Sequence, residues 1–102
     1  GMTASTVIEK YALDAVSSSA TSTTVTLTNN TASSVSVQYI LAAYTADGQM
    51  VASSTVASDL QSQKSIKLTV QYSAKDQVSW VSAFVLQAGT LQPLRAVWKK
   101  AL

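Results

Sequence analysis

Strict alternation of apolar and polar residues is the feature of this sequence that most limits its fold. In the segment 64–72, every second residue is apolar: Ile66, Leu68, Val70 and Tyr72. The segment 22–29 repeats the pattern, with Val25 and Leu27 set between threonines. A period of two places successive side chains on opposite faces of a β-strand. Threonine at the outward positions stiffens a strand without adding charge, so both segments are predicted to be half-buried strands.

Groups of turn-forming residues divide the chain into short apolar runs. They are Ser17-Ser18-Ser19, Asn29-Asn30, Asp47-Gly48, Ser58-Asp59, Ala74-Lys75-Asp76 and Ala88-Gly89. The spacing predicts seven strands, at 5–13, 22–29, 34–46, 49–57, 64–72, 77–87 and 92–100. A helix over 50–62 is disfavoured by its serines and threonine. Asp47-Gly48 suits a two-residue type I′ hairpin turn. We therefore predict an all-β fold, a seven-stranded antiparallel immunoglobulin-like β-sandwich.

Length and composition limit the number of domains and the chemistry. The 102 residues suffice for a single domain, 1–102, which we expect to be a fragment of a larger protein. An apolar fraction of 47% is incompatible with a wholly disordered chain. The sequence has no His and no Cys, which removes imidazole bases, thiolate nucleophiles and the usual zinc ligands. Its five carboxylates show no metal-binding spacing. We expect no enzyme activity, no cofactor and no metal.

The charge and hydropathy of the sequence indicate whether it could bind nucleic acid or span a membrane. Seven Lys and Arg against five Asp and Glu give a net charge of +2. The cations are scattered, apart from a cluster of Arg95, Lys99 and Lys100 near the C-terminus. Nucleic-acid binding needs several converging cations, so we expect no nucleic acid partner. No stretch approaches the ~20 apolar residues of a membrane span.

Two predicted strands are apolar on both faces, which is typical of central, covered strands. In 77–87, Val81, Ala83 and Val85 share one face, while Trp80, Phe84 and Leu86 share the other. The third and sixth strands are central neighbours in a seven-stranded sandwich, so 34–46 should lie beside 77–87. If the valine face is internal, an apolar surface lies outside. Its candidate members are Ile40, Tyr44, Trp80, Phe84, Leu86 and Trp98.

An outer apolar surface has two interpretations. A contiguous apolar patch marks a partner, a ligand or a neighbouring domain. Alternatively a loop, the N-terminal segment or a β-bulge covers these side chains within the fold. A further motif, Asn29-Asn30-Thr31, matches an N-glycosylation sequon but is equally typical of an Asn-rich turn, and we favour the turn.

Two stretches resemble a known family. Tyr39-Ile40-Leu41-Ala42-Ala43-Tyr44 followed by Thr45–Val51, and Val81–Leu86 followed by Leu91-Gln92-Pro93-Leu94, resemble small immunoglobulin or fibronectin type III-like accessory domains of Gram-positive bacterial secreted or cell-surface multidomain proteins. The likeness spans about residues 35–95. Ser82 stands where that family has Lys, and Leu86-Gln87 where it has Trp-Asp.

The resemblance implies a non-catalytic extracellular module on a bacterial cell surface. Its function would be to present neighbouring domains, or to pack against them or against other surface proteins. The alternative is a carbohydrate-binding module, in which Tyr44, Trp80 or Trp98 forms a stacking platform. Sugar sites normally add clustered polar side chains, and no such cluster is evident in the sequence.

Overall fold

Seven strands pair into two antiparallel sheets in the computed structural model, which describes residues 9–102. The strands are β1 (Tyr11–Ser18), β2 (Ser22–Asn29), β3 (Val35–Tyr44), β4 (Met50–Leu60), β5 (Ser65–Gln71), β6 (Trp80–Gln87) and β7 (Trp98–Ala101). One sheet has the order β1-β2-β5 and the other β4-β3-β6-β7. The predicted all-β immunoglobulin-like sandwich is confirmed, as is the pairing of the third and sixth strands at the centre of one sheet.

The first and last strands differ most from prediction. Part of the predicted strand 5–13 lies outside the described residues. Within them, β1 continues through the predicted serine turn to Ser18, whose hydroxyl bonds that of Thr23 on β2 at 2.7 Å. The last strand begins at residue 98 instead of 92. Leu91 has a positive φ of 58°, and Pro93 makes only an isolated bridge to β6, so this segment forms a loop.

The core lies between the two sheets and is built from the inward positions of both. Its largest fully buried apolar side chains are Tyr39, Leu27, Leu41, Val25, Val37, Val70, Val81 and Val85. The Tyr39 hydroxyl donates a 2.9 Å hydrogen bond to the Val25 carbonyl, which joins β3 of one sheet to β2 of the other. Burial raises the pKa of Tyr39 well above its ordinary value.

Asn29, the first residue of the sequon, is fully buried at the end of β2. Its side-chain nitrogen donates to the carbonyls of Ser33 and Leu60, both at 2.9 Å. Its side-chain oxygen accepts hydrogen bonds from the backbone N–H and the hydroxyl of Thr31. The amide thus ties β2, the following turn and the end of β4 together. This contact set supports the turn interpretation of the motif.

The β3–β4 turn is not the predicted two-residue type I′ hairpin. A type I′ turn needs positive φ at both central residues, but here only Gly48 has it, at 88°. Thr45 accepts a backbone hydrogen bond from Gly48 and donates one to Gln49, which leaves three residues in the loop. The Thr45 hydroxyl also donates to the Asp47 carboxylate. That side-chain contact and a single positive φ fit a type I turn followed by a glycine bulge.

Candidate functional site

Five apolar side chains form a continuous strip on the outer face of the four-stranded sheet. This outer strip consists of Ile40, Tyr44, Trp80, Phe84 and Leu86. Cross-strand register brings it together, because Tyr44 lies opposite Trp80 and Ile40 opposite Phe84. All five are partly buried, and none packs against the core cluster. They face away from Val81, Ala83 and Val85, as the alternation predicts.

The aromatic pair Tyr44 and Trp80 lies at one end of the outer strip. Their ring centroids lie 4.0 Å apart with an interplanar angle of 8°, so the rings are stacked. The Tyr44 hydroxyl also accepts a 3.1 Å hydrogen bond from the Ser82 hydroxyl. Ala42 and Ser82, which pair with each other across the same face, are each only 1% exposed. This small, covered pair therefore lies between the Ile40–Phe84 and Tyr44–Trp80 pairs of the strip, which alternation alone did not reveal.

Lys99 places a cation beside the indole ring. Its Nζ lies 5.1 Å from the Trp80 ring centroid, within the range of a cation–π interaction. Since β3 and β7 flank β6 on opposite sides, Tyr44 and Lys99 approach Trp80 from opposite directions. Next to the indole lies a surface depression of about 350 Å³, lined by Ser79, Trp80, Lys99, Lys100 and Ala101. The clustering of Arg95, Lys99 and Lys100 in the sequence did not predict that Lys99 contacts the Trp80 indole.

Trp98 does not join the outer strip, and its predicted place there is wrong. It pairs with Ala83, which is fully buried on the inner face of β6. Directly paired residues project to the same side of a sheet, so Trp98 points inward and packs against the core. The register of β7 with β6 is the reason, because it sets Trp98 opposite the inward-facing Ala83.

Arg95 makes its own contacts, apart from Lys99 and Lys100, although the three residues are close in sequence. Its side chain is 15% exposed, and Nη1 donates to the Glu9 carboxylate and to the Tyr11 carbonyl, both at 2.9 Å. These bonds fasten the loop before β7 to the start of β1. The arginine thus contributes to the fold, and the surface keeps two neighbouring cations, Lys99 and Lys100, on β7.

The outer face of the three-stranded sheet has the opposite character. Hydroxyl groups line it in cross-strand pairs: Thr24 bonds Thr69 and Thr28 bonds Ser65, each at 2.7 Å. Between them, Thr26 lies opposite Lys67. The sandwich therefore presents one outer face lined with hydroxyls and one that carries an apolar strip.

Acidic residues do not converge in the described part of the chain. No group of three or more His, Cys, Asp or Glu side chains there is arranged to hold a metal ion. Asp47 and Asp59 lie towards opposite ends of β4. The hydrogen bond from Thr45 lowers the pKa of Asp47 below its usual range. Across residues 9–102 there is also no helix of the length and apolarity needed to cross a membrane.

These features define an immunoglobulin-like β-sandwich with chemically distinct outer faces. The same fold occurs in a solved structure described as a β-glucuronidase from glycoside hydrolase family 2, with a TM-score of 0.52 and 14% sequence identity. The match covers 90% of this chain but 11% of that chain, so the sandwich corresponds to a small part of a much longer protein. No family model and no curated protein sequence matches the chain.

Proposed function

We propose that this chain is a single, non-catalytic β-sandwich module of a larger protein, which packs through its outer strip against a neighbouring domain or another surface protein. One observation carries the proposal, namely the difference between the two outer faces. A sheet face that only meets water is adequately covered by hydroxyls and charges, as on the β1-β2-β5 sheet. The partly exposed apolar residues of the outer strip are typical of a contact surface.

The geometry of the strip supports a flat contact. Ile40, Phe84 and Leu86 lie on the two inner strands, β3 and β6, at the middle of the sheet. Aromatic residues are enriched in interface centres, where a polar rim surrounds them. Here Gln38 lies opposite Leu86, and Lys99 borders the indole.

The wider context belongs to the same proposal. We place the module outside the cell, on a bacterial cell surface, as its resemblance to accessory domains of Gram-positive surface proteins implies. The match to 11% of a longer β-glucuronidase chain fits a module that works beside other domains. A shared fold does not transfer activity, so no catalytic role is proposed.

The experiment compares this chain alone with the longer polypeptide that contains it and its adjacent domain. Docking through the outer strip should raise the unfolding midpoint of the module in the longer protein. Phe84→Ser should remove that increase, whereas Thr26→Ser on the opposite face should keep it. An identical midpoint in both contexts, or an increase that survives Phe84→Ser, contradicts the proposal.

A carbohydrate-binding function is the second candidate, favoured by the depression beside Trp80. Sugars stack on indole faces, and the two lysines supply polar contacts. One face of this ring is already covered by Tyr44, so a sugar would have to displace the exposed Lys99 side chain from the other. Trp98 cannot contribute, because it faces the core.

Glycan-array screening followed by a tryptophan fluorescence titration separates the two functions. A saturable change that Trp80→Ala abolishes and Lys67→Ala leaves intact would establish sugar binding. No response from any glycan leaves domain packing as the function of the face.

A further inference from the structure

Among the described residues, four strands lie at the edges of the two sheets, and three of them carry features that discourage pairing with another chain. β1 contains Asp14 and a bulge. β5 carries Lys67, and β7 has only four residues, including Lys99 and Lys100. Charges, bulges and short length each protect an exposed strand edge from further pairing.

β4 lacks this protection over most of its length. It is the longest strand, with 11 residues, and its register with β3 is regular from Ala52 to Leu60. No Pro, Gly or charged residue occurs between Met50 and Ser58. Within residues 9–102, no backbone group outside β3 hydrogen-bonds to the backbone of β4. Side chains of Ser58 and Asn29 bond the Asp59 and Leu60 carbonyls at the end of the strand. Before them, the outer edge offers a row of free N–H and C=O groups to another strand.

We propose that β4 pairs antiparallel with β4 of a second copy of this chain, which joins two four-stranded sheets into one continuous sheet of eight. A two-fold axis at Val56, the middle of the regular segment, places each strand fully against its counterpart. This inference is independent of the function proposed for the outer strip, because it uses the edge of the sheet and not its face.

The distribution of charge favours a second copy as the partner. Asp59 is the only charged residue of β4 and lies one position from its end. Antiparallel pairing about Val56 puts Asp59 opposite Ser53 of the second copy and separates the two Asp59 carboxylates by about 20 Å. Like charges therefore do not oppose each other. The net charge of +2 adds little repulsion between copies.

The side chains of β4 are small enough for close approach. Thr55 would lie opposite Ala57 of the second copy, and both positions are exposed on the outer face. A contact made by two strand edges is smaller than a standard interface of ~1,600 Å². We therefore expect the dimer to have a dissociation constant of roughly 10–100 µM.

Sedimentation velocity over about 1–500 µM tests the pairing on the 102-residue chain. The native chain should show a monomer–dimer equilibrium. Thr55→Lys should weaken the dimer about tenfold or more, because it places two lysines close together across the new edge. Thr26→Lys is the matched control, since it adds the same charge on β2, an inner strand, and should dimerise like the native chain.

Hydrogen exchange locates the contact. Backbone amides of β4 should exchange more slowly at high protein concentration, and Thr55→Lys should abolish that concentration dependence while retaining the circular dichroism spectrum of the native fold. A chain that is monomeric throughout the range overturns the proposal. So does a dimer that tolerates Thr55→Lys, or one that is lost in Phe84→Ser and therefore forms through the outer strip.

Discussion

The hydroxyl of Tyr39 lies 2.9 Å from the carbonyl oxygen of Val25, and this hydrogen bond crosses the core between the two sheets. Both residues are fully buried. Because no water competes for either group, the bond fixes the position of β3 over β2 more firmly than a surface bond could.

Tyr39→Phe should lower the free energy of unfolding by about 1 kcal/mol, since it removes one buried hydrogen bond and leaves the ring in place. Urea denaturation at neutral pH measures the change. An unaltered unfolding midpoint would show that the bond does not contribute to stability.

The same residue predicts a dependence on alkaline pH. Burial holds the pKa of Tyr39 in the folded chain above its value when unfolded, ~10. The native state therefore keeps a proton that the unfolded state releases, and stability is lost as the pH rises above ~10. Tyr39→Phe should lose less stability than the native chain between about pH 10 and 12. Parallel curves for the two proteins would contradict this assignment.

Asn29→Ala should be among the most damaging polar substitutions in the chain. It removes the side-chain donor of the Leu60 carbonyl, one of two side-chain donors to the Ser33 carbonyl, and the acceptor of the Thr31 N–H, with an expected cost of about 2–3 kcal/mol. Asn30→Ala is the matched control, because Asn30 is less buried and donates a single side-chain bond, to the Glu9 carbonyl, at 2.9 Å. Its cost should stay below about 1 kcal/mol. Equal effects in urea denaturation would argue against a structural role for the buried amide.

The two tryptophans should respond differently to truncation. Trp98→Ala opens space against the core and should cost about 2–3 kcal/mol. Trp80→Ala loses the stack with Tyr44 on the outer face and should cost roughly 1–1.5 kcal/mol. Thermal unfolding of both variants gives the ranking. A reversed order would mean that the outer strip contributes more to the fold than the inner contact of β7.

Gly48→Ala tests the β3–β4 turn. The φ of 88° is unfavourable for alanine, while nothing lies within 4 Å of the added Cβ, so the expected cost of about 1 kcal/mol comes from the backbone alone. Ala46→Ser in the same exposed loop meets no positive φ and leaves glycine out of the comparison, so it serves as the control. If both variants unfold at the same urea concentration as the native chain, the positive φ of Gly48 in this turn is contradicted.

Alternation predicted most accurately the strands that it covers continuously. β2 and β5 occupy nearly the predicted ranges, because each has one buried and one solvated face throughout. Period two fixes the facing of residues within a strand, and Trp80, Phe84 and Leu86 follow it. Alternation does not show which side a residue faces once an irregular loop intervenes. It therefore does not predict that Trp98 points inward.

Contacts that depend on the register between strands also could not be predicted from the sequence. The stack of Tyr44 on Trp80 requires the exact alignment of β3 with β6, and the approach of Lys99 requires that of β7. The bulge in β1, between Ala15 and Ser17, likewise has no Gly or Pro to indicate it. Such features arise from pairing between distant segments, and no local pattern encodes them.

The paired hydroxyls on the β1-β2-β5 sheet affect how the surface of the protein responds to changes in pH and salt concentration. Serine and threonine do not titrate between acidic and alkaline pH, and their hydration depends little on ionic strength. Thr24, Thr28, Ser65 and Thr69 therefore keep their parts of this face chemically constant, whereas the charge of Lys67 between them is screened by salt. Changes in salt concentration therefore act on this protein mainly through its few charged side chains.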